Sequence, residues 1–164
     1  MGKEDPKRER EKGIPPCNIL VDEEGYWYYE GHSQIREDFV RMFYEHLEMR
    51  EDGSYIIRIA DDICALTVKD TAFVVWGVDK TDSKILLSLS DWTQEELDPD
   101  MLWIGENNVL YCKVKKGRYP CRFSRKAYYQ IAQWIEEEEG KYLLKLGLMA
   151  YPLRREIPSG LKGD

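Results

Sequence analysis

Seven basic residues crowd one short stretch of an otherwise acidic chain. Lys113, Lys115, Lys116, Arg118, Arg122, Arg125 and Lys126 fall within fourteen residues, interleaved with Tyr111, Tyr119, Phe123, Tyr128 and Tyr129. The planar forks of the arginines suit phosphate or carboxylate, and the aromatic faces suit a base or another planar ring. Ser124 stands where a strand-like run gives way to a helix-like one, so the free N–H groups of a helix N-terminus would add capacity for an anion. A plainer role competes with this one: a positive sheet edge that resists edge-to-edge pairing. The lysines fit the plainer role better. For the arginines the two readings weigh the same.

Other candidates are sparser. Asp61 and Asp62 would form an acid/base or metal pair only if a turn redirected them, because adjacent strand residues point to opposite faces. A polar turn between two strands explains them more simply. His32 lies in a loop and His46 near the end of a helix-like segment, and neither has a neighbour that would complete a triad. The chain lacks G-x-G-x-x-G, a P-loop, G-x-S-x-G and H-E-x-x-H. Cys17, Cys64, Cys112 and Cys121 form no C-x-x-C, so no zinc site is expected, and they read as thiols, mostly buried. No cofactor is expected.

The 164 residues fit one domain or two small subdomains, and at this length roughly two-thirds of the unfolded surface can be buried without disulfides. A net charge of −7 argues against indiscriminate nucleic-acid binding. No apolar run reaches the ~20 residues that span a bilayer, and Gly2-Lys3-Glu4-Asp5-Pro6 does not suit a signal peptide. The expectation is therefore a cytoplasmic protein that neither spans a membrane nor binds bulk nucleic acid.

The elements that must position these residues can be read from periodicity. Ile19–Val21 and Tyr26–Tyr29 read as a hairpin. A first helix should follow, capped by Ser33, with Ile35, Phe39, Phe43 and Leu47 on its apolar stripe and Phe39 and Phe43 buried. Strands are expected at residues 55–59, 63–68, 73–78 and 84–89, a helical turn at 93–97, and strands at 101–104, 109–114 and 118–123. Turns fall at Asp79–Ser83, Glu106-Asn107-Asn108 and Lys115-Lys116-Gly117. A second helix should start at Ser124 and carry Ala127, Tyr128, Ile131, Trp134 and Ile135, with Glu136–Glu139 as its frayed end. A last strand is expected at 142–148. The mixed order of strands and helices argues for an α+β fold. Each half carries aromatic-rich strands, one helix and a short strand after it. The domains read as a disordered tail at 1–16, an α+β subdomain at 17–69, a strand-rich subdomain with one helix at 70–153, and a mobile tail at 154–164.

Several motifs in this order resemble the bacterial domain-of-unknown-function family 1285. They are Gly25-Tyr26-Trp27-Tyr28-Tyr29-Glu30-Gly31, Ile35-Arg36, Gly53-Ser54-Tyr55, Leu66 to Phe73, Gly117, Arg122, Arg125, Tyr128 to Ile131, Gly147 and Tyr151-Pro152-Leu153. The chain departs from the pattern at Gln34-Ile35, Ile59-Ala60 and Ser90-Asp91. The resemblance implies two side-by-side α+β subdomains of mostly antiparallel strands, each with one main helix. The second would be superficially similar to a pleckstrin-homology domain, and a ligand site would lie between the two. It implies no established enzymatic activity and suggests a ligand-binding or signalling role. The ligand-binding residues on this reading are Arg36, Arg122, Arg125, Asp62 and Trp27. Arg36 and at least one of Arg122 and Arg125 should line one cleft, there binding a small anionic or nucleotide-like ligand or pairing with Asp62, Asp70 or Asp91. Two other readings stay open: a hydrolase-like enzyme using Asp61 and Asp62 on an anionic substrate, and a structural module whose aromatic surface forms a homodimer interface.

Overall fold

A computed structural model describes residues 13–30 and 33–155. His32, and the tail expected over residues 1–12 and 156–164, lie outside the described residues. The fold is α+β, with strands far outnumbering helices. The chain divides into two compact units. The first takes Met1–Asp22 and Tyr26–Lys69, and the second takes Glu23–Gly25 and Asp70–Asp164. No helix among the described residues is long and apolar enough to cross a membrane.

Among its described residues the first unit has a five-stranded sheet and helix α1 (Glu37–Glu45). Its strands are β1 (Pro16–Val21), β2 (Trp27–Tyr29), β3 (Leu47–Met49), β4 (Tyr55–Ile59) and β5 (Asp62–Val68). They lie in the order β2-β1-β5-β4-β3, and only β1 and β5 run parallel. Pro16 is thus part of a strand, not of the tail expected through residue 16. The β1–β5 register slips between Pro16 and Leu20, where Asn18 takes a positive φ of 63°. Beside that irregularity Cys17 and Cys64 are joined in a disulfide, with their Cα atoms 4.9 Å apart. This corrects the expectation of four thiols. The pair is 47 residues apart, and only folding brings β1 beside β5.

Helix α1 (Glu37–Glu45) starts later than the sequence suggests. Ser33 is not its cap. The Tyr29 N–H donates to the Ser33 carbonyl and the Ile35 N–H to the Trp27 carbonyl, so residues 33–35 extend the pairing along β2. Arg36 takes the N-cap position without a side-chain cap, and Glu37 and Asp38 fill the first turn, where carboxylates favour the positive end of the dipole. The buried face is also different. Val40 and Tyr44 are buried, whereas Phe39 is 40% exposed and Phe43 is half-buried. Leu47, counted as the fourth member of the phenylalanine stripe, belongs to β3, so the Phe39–Phe43 side has no helical continuation. Tyr44 wins the inner position because its hydroxyl accepts from the Trp27 indole N–H at 3.1 Å, with the two rings edge to face.

Among its described residues the second unit has a seven-stranded sheet, a three-stranded sheet, one α-helix and two short 3-10 turns at Pro99–Met101 and Glu106–Asn108. Its strands are β6 (Phe73–Lys80), β7 (Ile85–Leu89), β8 (Gln94–Glu96), β9 (Trp103–Ile104), β10 (Leu110–Val114), β11 (Tyr119–Phe123), β12 (Ile135–Glu138), β13 (Lys141–Leu146), β14 (Met149–Pro152) and β15 (Arg154–Arg155). The large sheet runs β15-β9-β10-β11-β6-β7-β8 and the small one β12-β13-β14. Val74, Val75, Leu87, Cys112, Val114 and Cys121 are fully buried in its core. Residues 94–96 form a strand beside β7, not the expected helical turn. Asp79 and Lys80 continue β6, so the turn after it is shorter than expected. Arg154 and Arg155 pair with β9, so the ordered chain runs past Leu153.

Helix α2 (Arg125–Ala132) begins as expected. The Ser124 hydroxyl accepts from the Ala127 N–H at 3.1 Å. Its far end does not follow the sequence reading: Trp134, Ile135 and the acidic run leave the helix, and residues 135–138 become β12. Four carboxylates on the negative end of a helix dipole are unfavourable. As an edge strand the run can instead place Glu136 and Glu138 beside Lys145, at 3.8 and 2.9 Å. In both units, then, a helix is followed within a few residues by a short strand.

Candidate functional site

Of the expected site residues, Arg122 and Arg125 come together, both in the second unit. Arg122 sits on β11 opposite Val74 of β6, the one parallel pairing inside the large sheet apart from its β15 edge. The two residues that lead into β6 grip it. The Thr71 hydroxyl accepts the Arg122 backbone N–H at 3.1 Å and donates to the Phe73 carbonyl at 2.6 Å. The Asp70 carboxylate accepts from Arg122 Nη1 at 2.8 Å. The same oxygen accepts from the Tyr111 hydroxyl at 2.6 Å. Burial, with the hydrogen bond to Asp70 and its charge, pushes the Tyr111 hydroxyl well above its ordinary range. Arg122 is therefore held at two points, its backbone N–H and its Nη1, and Tyr111 steadies the carboxylate at the second.

Its guanidinium is not fully used. The Nε–H of Arg122 is buried and has no hydrogen-bond partner among the described residues. A buried donor left in this state costs free energy, and such groups are rare in folded proteins.

Arg125 opens α2, and its backbone N–H donates to both oxygens of Glu24 at 3.3 Å. The helix N-terminus that the sequence offered to an external anion thus already holds an internal carboxylate. Glu24 is fixed there by its own backbone, since its carbonyl accepts from the Trp76 indole N–H at 2.7 Å. Gly25 permits the approach: it has φ +90°, and a Cβ there would lie 2.9 Å from Val74 Cβ. The Arg125 side chain is exposed, and no described residue forms an ion pair with it.

Between these groups lies a cavity of about 240 Å³. Glu24, Arg122 and Arg125 line it with Asn107 and Asn108, and Tyr128 and Tyr129 are also in its wall. Tyr129 is 68% exposed and meets Tyr128 edge to face. Asn107 and Asn108 both take positive φ, at 58° and 60°, a region that asparagine tolerates better than most residues. A second cavity of about 220 Å³ shares Asn108, Leu110 and Tyr128 with the first.

The remaining candidates belong to the first unit or to other parts of the second. Arg36, in the first unit, is largely exposed and donates to its own helix's Asp38 at 2.6 Å. Asp62 begins β5 beside Ile59, and Asp61 is in the exposed hairpin turn before it. Trp27 is only 2% exposed and its N–H is taken by Tyr44, so it is a core residue with nothing to offer a solute. Lys115 pairs with Asp91 at 2.8 Å and lies over the Phe73 ring, which gives it a structural part. Sequence reasoning missed Glu24, Asn107 and Asn108 as wall residues. The adjacent asparagines were visible only as a turn. Nothing in the sequence pairs Glu24 with a helix start 101 residues later.

Two solved structures share this fold. A DUF1285 family protein from Silicibacter pomeroyi DSS-3 superposes with a TM-score of 0.68 at 18% identity, covering 92% of this chain and 96% of its own. A DUF1285 family protein from Shewanella baltica OS155 superposes with a TM-score of 0.58, also at 18% identity, covering 70% of this chain and 90% of its own. The structural neighbours are thus DUF1285 family proteins, as the motifs suggested, and the fold is theirs. No family model and no curated protein matches the chain.

Proposed function

We propose that the protein is a non-enzymatic binding module of the DUF1285 kind, taking a small phosphate- or carboxylate-bearing, nucleotide-like ligand in the cavity between Arg122 and Arg125. One observation carries this reading: Arg122 and Arg125 line one cavity, and among the described residues the exposed Arg125 side chain has no ion-pair partner. An oxyanion in the cavity would pair with the exposed Arg125 side chain and with the part of the Arg122 side chain that reaches the surface, 24% of it being exposed, and Arg forks bind such groups through paired, charge-assisted hydrogen bonds. The exposed ring of Tyr129 suits a planar group at the rim. A part in signalling would follow if the ligand changed the protein's stability or its partners.

The test is thermal unfolding with inorganic phosphate, acetate and AMP at millimolar concentration. A ligand present at 100 times its Kd stabilises by about 2.7 kcal/mol. At least one probe should raise the Tm, and Arg125→Ala should remove the rise. No rise with any probe, or the same rise in Arg125→Ala, would sink the reading.

A further inference from the structure

The two adjoining cavities differ in chemistry. The first is bordered by charge. The second is lined by Ile104, Ala132, Ile135 and Leu153, with Leu110, Tyr128 and Tyr142 completing an apolar wall. Asn108 and Arg155 also line it and pair with each other, Arg155 Nη1 donating to the Asn108 side-chain oxygen at 3.1 Å. Ile104, Ala132, Ile135 and Leu153 are all only half-buried, which leaves aliphatic surface open around a single space. Volume points the same way. At about 240 and 220 Å³ each cavity falls short of the roughly 300–1,000 Å³ usual for small-molecule sites, and together they reach it.

We infer that the ligand is an amphipathic anion, with its carboxylate or phosphate at Arg122 and Arg125 and an apolar body in the second cavity. This rests on the anion site of the reading above and replaces its nucleotide-like body with an apolar one. A ribose in the second cavity would bring hydroxyl groups against Ile104, Ala132, Ile135 and Leu153, and each hydroxyl left without a partner there would be costly to bury. An alkyl or unsubstituted aromatic body gains from every apolar contact it makes there. Leu110 and Tyr128 border both cavities and so mark where head and body of such a ligand would join.

Calorimetric titration of the full chain with sodium octanoate, sodium acetate, n-octanol and AMP separates the possibilities. Octanoate should bind at least tenfold more tightly than acetate, octanol or AMP. Arg125→Ala should weaken octanoate and acetate together. Ala132→Phe fills the second cavity from the last turn of α2 and should weaken octanoate at least tenfold while leaving acetate unchanged. Because the larger side chain could perturb α2, Leu153→Asp provides a second variant, with the same split expected. If octanoate and acetate bind equally and both depend on Arg125, the amphiphile is wrong and the anion site stands. If AMP binds more tightly than octanoate, the amphiphile is likewise wrong. If neither acid responds to Arg125→Ala, both readings fail.

Discussion

Each unit contains a parallel strand pair inside a mostly antiparallel sheet, and the two units secure it by different chemistry. In the first, β1 and β5 are joined by the Cys17–Cys64 disulfide. In the second, β6 and β11 are joined by Thr71 and Asp70, which hold the backbone and side chain of Arg122. Parallel pairs are slightly less stable per residue than antiparallel ones and join segments far apart in sequence, so a cross-link at such a seam counters a real weakness. The covalent clamp responds to reductant. The polar clamp responds to mutation and pH, and it leaves the Arg122 Nε–H without a partner among the described residues. Structural support and candidate binding group are thus one residue in the second unit, whereas the first unit keeps its clamp free of any such role.

The largest effect should come from breaking the covalent clamp. For a closed loop with a sequence separation of 47, the chain-entropy model gives about 4 kcal/mol. Cys64→Ser, or added reductant, should lower the urea midpoint accordingly. Denatured, unreduced protein should expose two reactive thiols, Cys112 and Cys121. Four thiols and an unchanged midpoint would show that the clamp is absent in solution. A bridge at this seam also bears on the expected compartment, since thiols in a reducing environment would not form it readily.

Breaking the polar clamp should cost somewhat less. Asp70→Ala leaves Arg122 without its carboxylate and Tyr111 without its acceptor. Removing one member of a buried pair costs about 3–5 kcal/mol. The Arg122 and Asp70 side chains are each about a quarter exposed, which brings the expectation nearer 2–3 kcal/mol. Equilibrium denaturation measures it directly. A loss below about 0.5 kcal/mol, the range of an ordinary surface change, would mean the cluster is not a clamp.

The two clamps also differ in how far the sequence revealed them. Asp70 was one of three carboxylates, with Asp62 and Asp91, that the sequence offered as partners for the arginines, and the structure pairs it with Arg122. The cysteines could not be paired, because spacing alone does not say that β1 runs along β5 with a bulge at Asn18. Strands and turns with strong local patterns were legible, as were Ser124 as a cap and Asn107-Asn108 as a turn. Misreadings arose where a distant contact outweighed a local one. Ser33 was lost to pairing with β2, the Phe39–Phe43 stripe to the Trp27–Tyr44 hydrogen bond, and residues 136–138 to pairing with β13. Of the candidate site, the arginines were legible by type and crowding. The cavity that joins Arg122 and Arg125 depends on Glu24 and on the turn at 106–108, which no local pattern ties together.

A finer probe of the polar clamp is alkaline pH. The Tyr111 hydroxyl is raised from an ordinary value of 10.0, so in the folded protein it keeps its proton when the unfolded chain has lost it. Above about pH 10 the native state therefore binds more protons than the unfolded state, and stability falls as pH rises. Below pH 10 this contribution is fully present. Tyr111→Phe should cost about 1 kcal/mol at neutral pH for the lost hydrogen bond. It should also make the decline above pH 10 shallower than in the parent. Parallel curves would show that Tyr111 ionises in the folded protein as it does in the unfolded chain.

The smallest effect should come from Arg36, whose ion pair is the first unit's counterpart to Arg122–Asp70. The donor–acceptor distances are similar, 2.6 Å against 2.8 Å, so geometry alone would rank them together. Exposure separates them, because the Arg36 and Asp38 side chains are 72% and 62% exposed against 24% and 26% for Arg122 and Asp70. Water already solvates both members of the exposed pair, and salt at about 0.15 M screens what attraction remains. The partners are two residues apart, so their pairing fastens no distant segment. Arg36→Ala should leave the urea midpoint unchanged at both low and high salt, while Asp70→Ala lowers it at both. Titration with inorganic phosphate supplies the second readout. Arg125→Ala should weaken binding and Arg36→Ala should not. An equal loss in the two variants would return Arg36 to the ligand site, as the family resemblance implies.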